Sequence, residues 1–226
     1  SMRPDLVLAS GDAGPESVLK QIQGAGVAVT VLDNGHSFES LRANMRIIGA
    51  TLDPGAGAEA LGGSRLEEDW AKTLAAVRAY RTQPRVAFIL AHAGTGMLVA
   101  GEGTAANAMI RLAGAANALT GFGGYKPLTA EAIIGAQPEV LLITEQGLAA
   151  VGGPETLWQA PGLGLTPAAA ARKLVAMEAL YLLGFGPRLP QAVRELAERL
   201  RGSSSEIPSI FRVGPRGVTT TRISLW

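Results

Sequence analysis

Cysteine is absent from the 226-residue chain, and histidine occurs only as His36 and His92. Without cysteine there are no disulfides, no thiolate chemistry and no cysteine-type zinc site, and two histidines argue against a multi-histidine metal centre. The net charge is only +1 and Lys and Arg form no dense face, which argues against a nucleic-acid surface. No run of about 18 apolar residues occurs, so we expect no membrane span.

Common catalytic motifs are also absent from the sequence. There is no Gly-x-Ser-x-Gly elbow, no P-loop and no His-Glu-x-x-His. No acid/base pair stands out at helical spacing, and the acidic run at residues 67–69 is typical of a solvated helix face. A binding protein is therefore favoured over an enzyme.

The residues that are present favour an α/β fold with a substantial core, since 47% of them are hydrophobic. Two short apolar runs, at residues 5–10 and 27–32, flank a helical segment and predict a βαβ unit with parallel strands. Apolar residues then repeat at helical spacing up to about residue 80. At about 1.5 Å per residue this helix would span ~27 Å, which is long enough to bridge two lobes.

A second α/β unit follows, and parts of the two units repeat one another. Residues 3–10, Arg-Pro-Asp-Leu-Val-Leu-Ala-Ser, match residues 137–144, Gln-Pro-Glu-Val-Leu-Leu-Ile-Thr, and a Gly-Pro-Glu segment follows each. Two similar lobes joined by one helix predict a clamshell with parallel sheets, whose ligand lies beyond the carboxyl ends of the strands. The second unit carries about 50 residues before its repeated strand and the first carries none, so we interpret the amino-terminal lobe as incomplete.

We therefore divide the chain into a partial amino-terminal lobe at residues 1–55, a bridging helix at 56–82, a carboxy-terminal lobe at 83–202 and an atypical tail at 203–226. The tail has two β-prone runs that predict a hairpin, and a strand from it is one hypothesis for the vacant position in the first sheet. Exposed strand edges of the partial lobe also predict pairing with a second copy, as a homodimer.

The glycine-rich stretch before the predicted helix at 130–136, which Thr129 is placed to cap, is the first candidate binding segment. Gly124 allows close approach of backbone to a ligand, Tyr125 offers a phenolate and Lys126 offers a cation. Tyrosine is a known axial ligand of haem iron. The alternative is a turn whose tyrosine packs against the cleft wall.

His92 and Arg188 are the second and third candidates. His92 follows a predicted strand and precedes Gly94, so the carboxyl-end rule places it facing the cleft; the alternative is a histidine that caps its own loop. Arg188, in a Gly-Pro loop before the last helix, has the geometry to bind a carboxylate through two hydrogen bonds, and its alternative is a solvated arginine. We interpret His36 as mostly structural.

The chain resembles the periplasmic haem-binding proteins of bacterial ABC haem importers, within the helical-backbone class of substrate-binding proteins. The resemblance covers about residues 3–200. It is carried by Arg-Pro-Asp-Leu-Val-Leu-Ala-Ser at 3–10, Ala-His-Ala-Gly at 91–94 with Val-Ala-Gly at 99–101, Thr-Ala-Ala-Asn-Ala-Met-Ile at 104–110, Gly-Tyr-Lys-Pro-Leu-Thr-Ala-Glu at 124–131 and Leu-Leu-Gly-Phe-Gly-Pro-Arg at 182–188.

The resemblance implies two lobes on a rigid helix, haem as the transported ligand in the cleft, and docking on an ABC permease through acidic residues of each lobe. The usual axial tyrosine of the family lies upstream of the Arg-Pro-Asp strand, so Tyr125 or His92 becomes the expected iron ligand here. Glu102 is the expected docking acid, one position from the usual place. The remaining residues expected to line the cleft are Gly94, Gly124, Lys126 and Arg188.

The resemblance also implies a periplasmic location. The sequence shows no signal peptide, and we interpret the opening Ser1-Met2 as a cloning remnant, which is compatible with removal of a leader. Two alternatives to haem delivery stay open: a non-enzymatic structural or assembly remnant without a ligand, and a binder of another iron chelate or of a corrinoid.

Overall fold

The computed structural model describes residues 4–52, 63–92 and 96–202. The first part is a small α/β unit, with elements β1 (Leu6–Ser10), α1 (Glu16–Gly24), β2 (Ala28–Leu32) and α2 (Phe38–Leu52). β1 and β2 pair in parallel, with Leu6 opposite Ala28 and Ser10 opposite Leu32. The predicted βαβ unit is therefore confirmed.

A long helix, α3 (Gly63–Ala79), follows this unit. Its 17 residues span about 26 Å. The Phe38 ring of α2 stacks on Trp70 of α3, with centroids 4.7 Å apart and planes inclined by 5°. Three residues further along, the Thr73 hydroxyl donates a hydrogen bond of 3.2 Å to the carbonyl of Pro190. α3 therefore contacts both halves of the chain, as a bridging helix must; the predicted start at residue 56 lies outside the described residues.

The second half is built on a larger sheet. Its strands are β3 (Arg85–Leu90), β4 (Leu98–Ala100), β5 (Ala116–Asn117), β6 (Tyr125–Pro127), β7 (Val140–Thr144) and β8 (Leu174–Met177). The order is β6-β4-β3-β7-β8, with β5 beside the start of β3. β3, β7 and β8 are mutually parallel, whereas β4 runs antiparallel to both β3 and β6. The carboxyl ends of β3, β7 and β8 consequently lie at one edge of the sheet.

Helices cover both faces of this sheet: α4 (Ala105–Leu112), α5 (Ala130–Ala136), α6 (Glu145–Ala150), α7 (Pro154–Trp158), α8 (Pro167–Ala170), α9 (Ala179–Leu183) and α10 (Leu189–Arg201). One buried cluster joins α2, α3, α4, α9 and α10 to the first face, and a second joins α5 to α8 to the other face. All five residues of β7 are buried between them. Each buried Leu or Ile contributes about 1.5–3 kcal/mol, so β7 is the centre of the core.

Threonine hydroxyls fix the starts of several of these helices. Thr129 accepts a hydrogen bond of 3.2 Å from the Ala132 N–H, which confirms the predicted cap of α5. Thr104 caps α4 in the same way, accepting from Asn107 at 3.1 Å. Such a cap contributes about 1 kcal/mol, and each one determines where its helix leaves the sheet.

Some predictions differ from the structure in detail. The polar tip at Tyr125 and Lys126, predicted as a turn, is the three-residue strand β6, because it pairs with β4. The proline at position 190 predicts the start of the last helix, whereas α10 begins one residue earlier, at Leu189. The predicted hairpin at 203–226 lies outside the described residues. In the described part of the chain, no helix is long and apolar enough to cross a membrane.

Candidate functional site

Polar residues follow the three parallel strands at the carboxyl edge of the large sheet. His92 comes two residues after β3 and is exposed. Gln146 lies in the first turn of α6, just after β7, and Glu178 directly follows β8. The Gln146 side-chain oxygen accepts a hydrogen bond of 3.1 Å from the Ala179 N–H. The loops after β7 and β8 are therefore tied together beside His92.

Glu178 begins α9, and its carboxylate accepts hydrogen bonds from the N–H groups of Leu180 and Tyr181 at 2.9 and 2.7 Å. These bonds, led by the one from Leu180, hold the pKa of the Glu178 carboxyl below its usual value. The Arg188 guanidinium lies 4.9 Å from the centre of the Tyr181 ring. This cation–π contact orients an otherwise exposed arginine.

The loop that precedes Arg188 also contacts the amino-terminal unit. The rings of Phe185 and His36 are 5.2 Å apart and tilted by 55°. Phe185 has φ of 44°, an unusual value for a residue other than glycine. A Cβ on Gly184 would lie 2.4 Å from the Leu180 carbonyl, so this position requires glycine. The backbone of 184–188 is thus held in one special conformation against the loop that follows β2.

That facing loop is held by its own hydrogen bonds. The Asn44 amide donates to the Asp33 carbonyl at 2.7 Å, and its oxygen accepts from the Asp33 N–H at 2.8 Å. The Asp33 carboxylate accepts from the Gly35 N–H at 3.1 Å. Hydrogen bonds from Ser40 first and Gly35 second keep the pKa of Asp33 below its usual value. His36 is therefore presented by a rigid turn, in agreement with its interpretation as a packing residue.

Glu102, Gly124, Tyr125 and Lys126 lie close together elsewhere. Tyr125 and Lys126 are in β6, Gly124 precedes that strand and Glu102 follows β4. The N–H of Gly101 donates to the Gly124 carbonyl, and the N–H of Gly124 donates to the Glu102 carbonyl, both at 2.8 Å. A Cβ on Gly101 would lie 2.4 Å from the Phe122 ring. The Lys126 ammonium is 5.0 Å from the centre of that ring. We call this group of residues the hairpin cluster.

Tyr125 is 38% exposed. Burial of its hydroxyl raises the pKa, and a hydrogen bond with Thr104 opposes that shift more weakly. In the sheet Tyr125 is opposite Ala100, whereas Pro127 is opposite Leu98, which pairs with the last residue of β3. Tyr125 therefore lies two residues, or about 7 Å, behind the carboxyl edge. Its phenol therefore lies behind the carboxyl edge, and burial favours its neutral form.

The cluster and the carboxyl-edge residues occupy different parts of the sheet. β6 and β8 are at opposite ends of the strand order, separated by four spacings or about 19 Å, with β3 midway between them. His92 thus follows the strand midway between those of Tyr125 and Glu178, with Tyr125 set back from the edge. Gly94 lies outside the described residues. Within the described ranges there is no group of three or more His, Cys, Asp or Glu side chains able to hold a metal ion.

Comparison with known proteins assigns the chain to a family. The model of the periplasmic binding protein family matches residues 1–180. The chain belongs to the periplasmic binding protein family. Its two α/β units on one long helix are the two-lobed architecture predicted from the sequence.

Solved structures of other periplasmic binding proteins are similar to this one. The haem-binding protein BhuT, in complex with two haems, is 52% identical with a TM-score of 0.83, over 88% of this chain and 75% of that one. RhuT of Roseiflexus sp. RS-1, a haem-binding protein in its apo form, is 36% identical with a TM-score of 0.82, over 88% and 76%. A haem-binding protein of Pseudomonas aeruginosa is 33% identical with a TM-score of 0.71, over 88% and 72%.

A curated relative is the uncharacterized ABC transporter substrate-binding lipoprotein YvrC of Bacillus subtilis. The identity is 25% over 207 residues, which are 88% of this chain. The chain spans 63% of the length of this relative.

For this periplasmic binding protein, sequence reasoning missed Glu178, Tyr181 and the contact between His36 and Phe185. An acid between an apolar strand and a short helix is a recognisable capping signal, and Glu178 fits it. The ring contact joins residues 149 positions apart, and no local pattern indicates such a pair.

Proposed function

We propose that this protein is the haem-binding component of an ABC importer, which holds haem in the cleft between its lobes and delivers it to the permease in the periplasm. The main support is the 52% identity with a haem-binding protein over 88% of the chain. Two further relatives that bind haem are 36% and 33% identical. These relatives are binding proteins, which favours binding over catalysis here.

Of the two candidate iron ligands, the geometry favours His92 over Tyr125. An iron-bound tyrosine is a phenolate, and burial raises the pKa of Tyr125, which opposes loss of its proton. Tyr125 also lies behind the carboxyl edge, as its pairing with Ala100 shows. His92 follows the central strand at that edge and is exposed. A neutral imidazole is a common ligand of haem iron.

Arg188 is the proposed partner of a haem propionate. Tyr181 supports one face of the guanidinium at 4.9 Å, while the N–H groups at its rim are in position to bind a carboxylate in bidentate fashion. Lys126 is a second candidate cation, although it is carried by β6 on the far side of the sheet. Gly94, outside the described residues, stays a predicted position of close backbone approach to the ligand. Gly124 is the weaker candidate for that role, because it lies one residue further from the carboxyl edge than Tyr125.

A haem titration monitored by absorbance tests the proposal. Wild-type protein is expected to show a saturable Soret shift. His92→Ala is expected to weaken binding at least tenfold and to change the position of the band, because the axial ligand is lost. Tyr125→Phe is expected to change affinity less than threefold.

The matched pair Arg188→Gln and Arg46→Gln separates a propionate contact from a change in net charge. Both remove one positive charge, but Arg46 is an exposed residue of α2. Only Arg188→Gln is expected to weaken haem binding. Absence of any Soret shift in the wild type would contradict haem binding, and a larger effect of Tyr125→Phe than of His92→Ala would reverse the assignment of the ligand.

Glu102 is the proposed contact with the permease. It is exposed, and its N–H and carbonyl are both bonded in the hairpin cluster, so its backbone is fixed before docking. Glu102→Gln is expected to leave the haem titration unchanged and to lower haem uptake in a reconstituted importer. Unchanged uptake would remove Glu102 from the interface.

Self-association is a second candidate function, supported by the small sheet of the amino-terminal unit. In the described residues β1 and β2 pair only with each other, which leaves an edge on each side. Leu8 and Val31 are 40% and 51% exposed. Analytical ultracentrifugation is expected to show dimers at micromolar concentration, and a strict monomer would contradict this proposal.

A further inference from the structure

Three helices end at one corner of the large sheet, opposite the cleft edge. α3 ends at Ala79, α4 at Leu112 and α10 at Arg201. The corner adjoins the first residue of β3, whereas His92 lies beyond its last residue. The six residues of β3 span about 20 Å, so this corner is remote from the proposed haem site.

Arg201 closes the corner. Its guanidinium donates to the carbonyls of Thr82, Ala113 and Gly114 at distances between 2.8 and 3.3 Å. It also lies 4.2 Å from the centre of the Tyr80 ring. Burial lowers the pKa of this guanidinium, in the direction expected for a desolvated cation. Every part of Arg201 is thus engaged in holding the helix ends together, and it is a structural residue.

An open groove of about 420 Å³ lies beside this corner, and the other arginines there are arranged differently. Arg78, Arg81 and Arg111 line it and are exposed. Among the described residues, none of the three takes part in an ion pair. Among the described residues that line the groove there is no carboxylate, and its apolar wall is formed by Leu74, Val77 and Leu112.

The sequence around the groove has very little negative charge. Between residues 70 and 130 the only acid is Glu102, while the cations in that range are Lys72, Arg78, Arg81, Arg85, Arg111 and Lys126. Helix dipoles favour cations in the last turns of α3 and α4, which explains the position of Arg78 and of Arg111 when each is considered alone. Arg81 lies beyond the end of α3, so the dipole does not account for its place in the same groove.

We propose that this groove is an anion site that binds a phosphate ester. Guanidinium groups that approach from a helix end, a loop and a second helix suit a phosphate, whose oxygens accept hydrogen bonds in several directions. The apolar wall suits the carbon skeleton attached to it. The phosphate has two possible sources, a soluble phosphate ester or the headgroup of an anionic phospholipid, and both present the same chemistry to the arginines.

The experiment uses the full chain at low ionic strength, with glycerol 3-phosphate in calorimetry and with phosphatidylglycerol–phosphatidylcholine vesicles in sedimentation. The test variant is Arg78→Gln/Arg111→Gln. The control is Arg46→Gln/Arg194→Gln, which removes the same charge from exposed positions outside the groove. Arg81→Gln, a single change in a loop, is added as a milder variant, and thermal unfolding checks that all variants are folded.

Saturable binding of glycerol 3-phosphate that the test variant weakens at least tenfold, and the control less than twofold, supports a soluble phosphate ester. The same pattern with vesicles alone supports a lipid headgroup. Arg81→Gln is expected to weaken binding about threefold in either case, and the haem titration is expected to be unchanged. Binding to neither probe, or equal loss in the test and control variants, overturns the proposal.

Discussion

Leu8 in β1 and Leu142 in β7 occupy equivalent positions of the internal repeat, yet Leu8 is 40% exposed and Leu142 is 0% exposed. Both strands are apolar, and both pair in parallel with the next strand of their own unit. Local sequence therefore determines that each segment forms a strand. The burial of that strand depends on the helices and strands that pack against it.

The surroundings of the two strands account for this difference. β7 lies between β3 and β8, and helices pack on both of its faces. In the described part of the chain β1 has β2 as its single neighbour, and α1 has no buried residue. Burial of apolar area is the main source of folding free energy, so most of the stability belongs to the carboxy-terminal unit. The amino-terminal unit depends on its contact with α3.

Truncation of the two equivalent leucines is the most direct test of this difference. Leu142→Ala is expected to lower the free energy of unfolding by about 4 kcal/mol, because it opens a cavity beside Phe88 and Val175. Leu8→Ala is expected to lower it by less than about 1 kcal/mol, since much of that side chain is already in water. Urea unfolding followed by circular dichroism measures both.

The two variants make the same chemical change, so each controls for the other. Similar losses in both would mean that β1 is covered in solution to the same degree as β7. That result would favour the homodimer, and a dependence of the Leu8→Ala loss on protein concentration would identify a second copy as the cover.

Loss of the ring stack between the units is expected to have the next largest effect. Phe38→Ala removes a 6% exposed side chain from Trp70 and is expected to cost about 3 kcal/mol. The loss is expected to fall mainly on the amino-terminal unit. Amide hydrogen exchange should accelerate in β2 and α2 and remain slow in β7 and β8.

Val77→Ala, which changes a residue near the end of α3, is the control for Phe38→Ala. Val77 is also buried but contacts the corner of the carboxy-terminal unit, near Gly114. Val77→Ala is expected not to accelerate amide exchange in β2 more than in β7. Equal acceleration in both units after Phe38→Ala would show that the chain unfolds as one cooperative unit.

Sequence reasoning found the elements whose signals are local. Thr129 before a short apolar helix, the fully apolar run of β7 and the helical spacing of α3 all fall within a few residues, and each prediction is confirmed. β6 was missed because three residues beside two glycines carry no strand pattern, and pairing with β4 alone makes them a strand. Tertiary contact overrides local propensity there.

Candidate site residues were harder to place, because a site joins distant parts of the chain. The sequence locates His92 and Arg188 after or between elements, and the carboxyl-end rule places His92 at the sheet edge. It does not show that Tyr181 orients Arg188 or that Thr104 contacts Tyr125. The groove of Arg78, Arg81 and Arg111 is formed by the meeting of separate helices, so these cations look dispersed along the sequence.

Acid pH is expected to have the smallest effect, and one that is similar in the two units. In one unit, hydrogen bonds from Ser40 first and Gly35 second lower the pKa of Asp33. In the other unit, the backbone N–H groups of Leu180 and Tyr181 lower the pKa of Glu178. Because each folded-state pKa is below the unfolded value, each group contributes stability above the unfolded value, near 3.8 for Asp33 and 4.5 for Glu178. That contribution is lost as the pH falls through the lowered folded-state value.

Asp33→Asn and Glu178→Gln remove these titrations one at a time. Each variant is expected to be slightly less stable than the wild type at pH 7. The difference is expected to shrink once the pH falls below the unfolded value and to vanish only below the lowered folded-state value. Urea midpoints measured between pH 7 and pH 2 give the comparison, and a difference that persists unchanged at pH 2 would mean that packing, not charge, is responsible. Similar losses at Asp33 and Glu178 are expected because the leading hydrogen bonds to both carboxylates come from residues nearby in the chain, Ser40 and Gly35 in one case and Leu180 and Tyr181 in the other. These charges, unlike the two leucines, therefore depend little on how well the surrounding unit is covered.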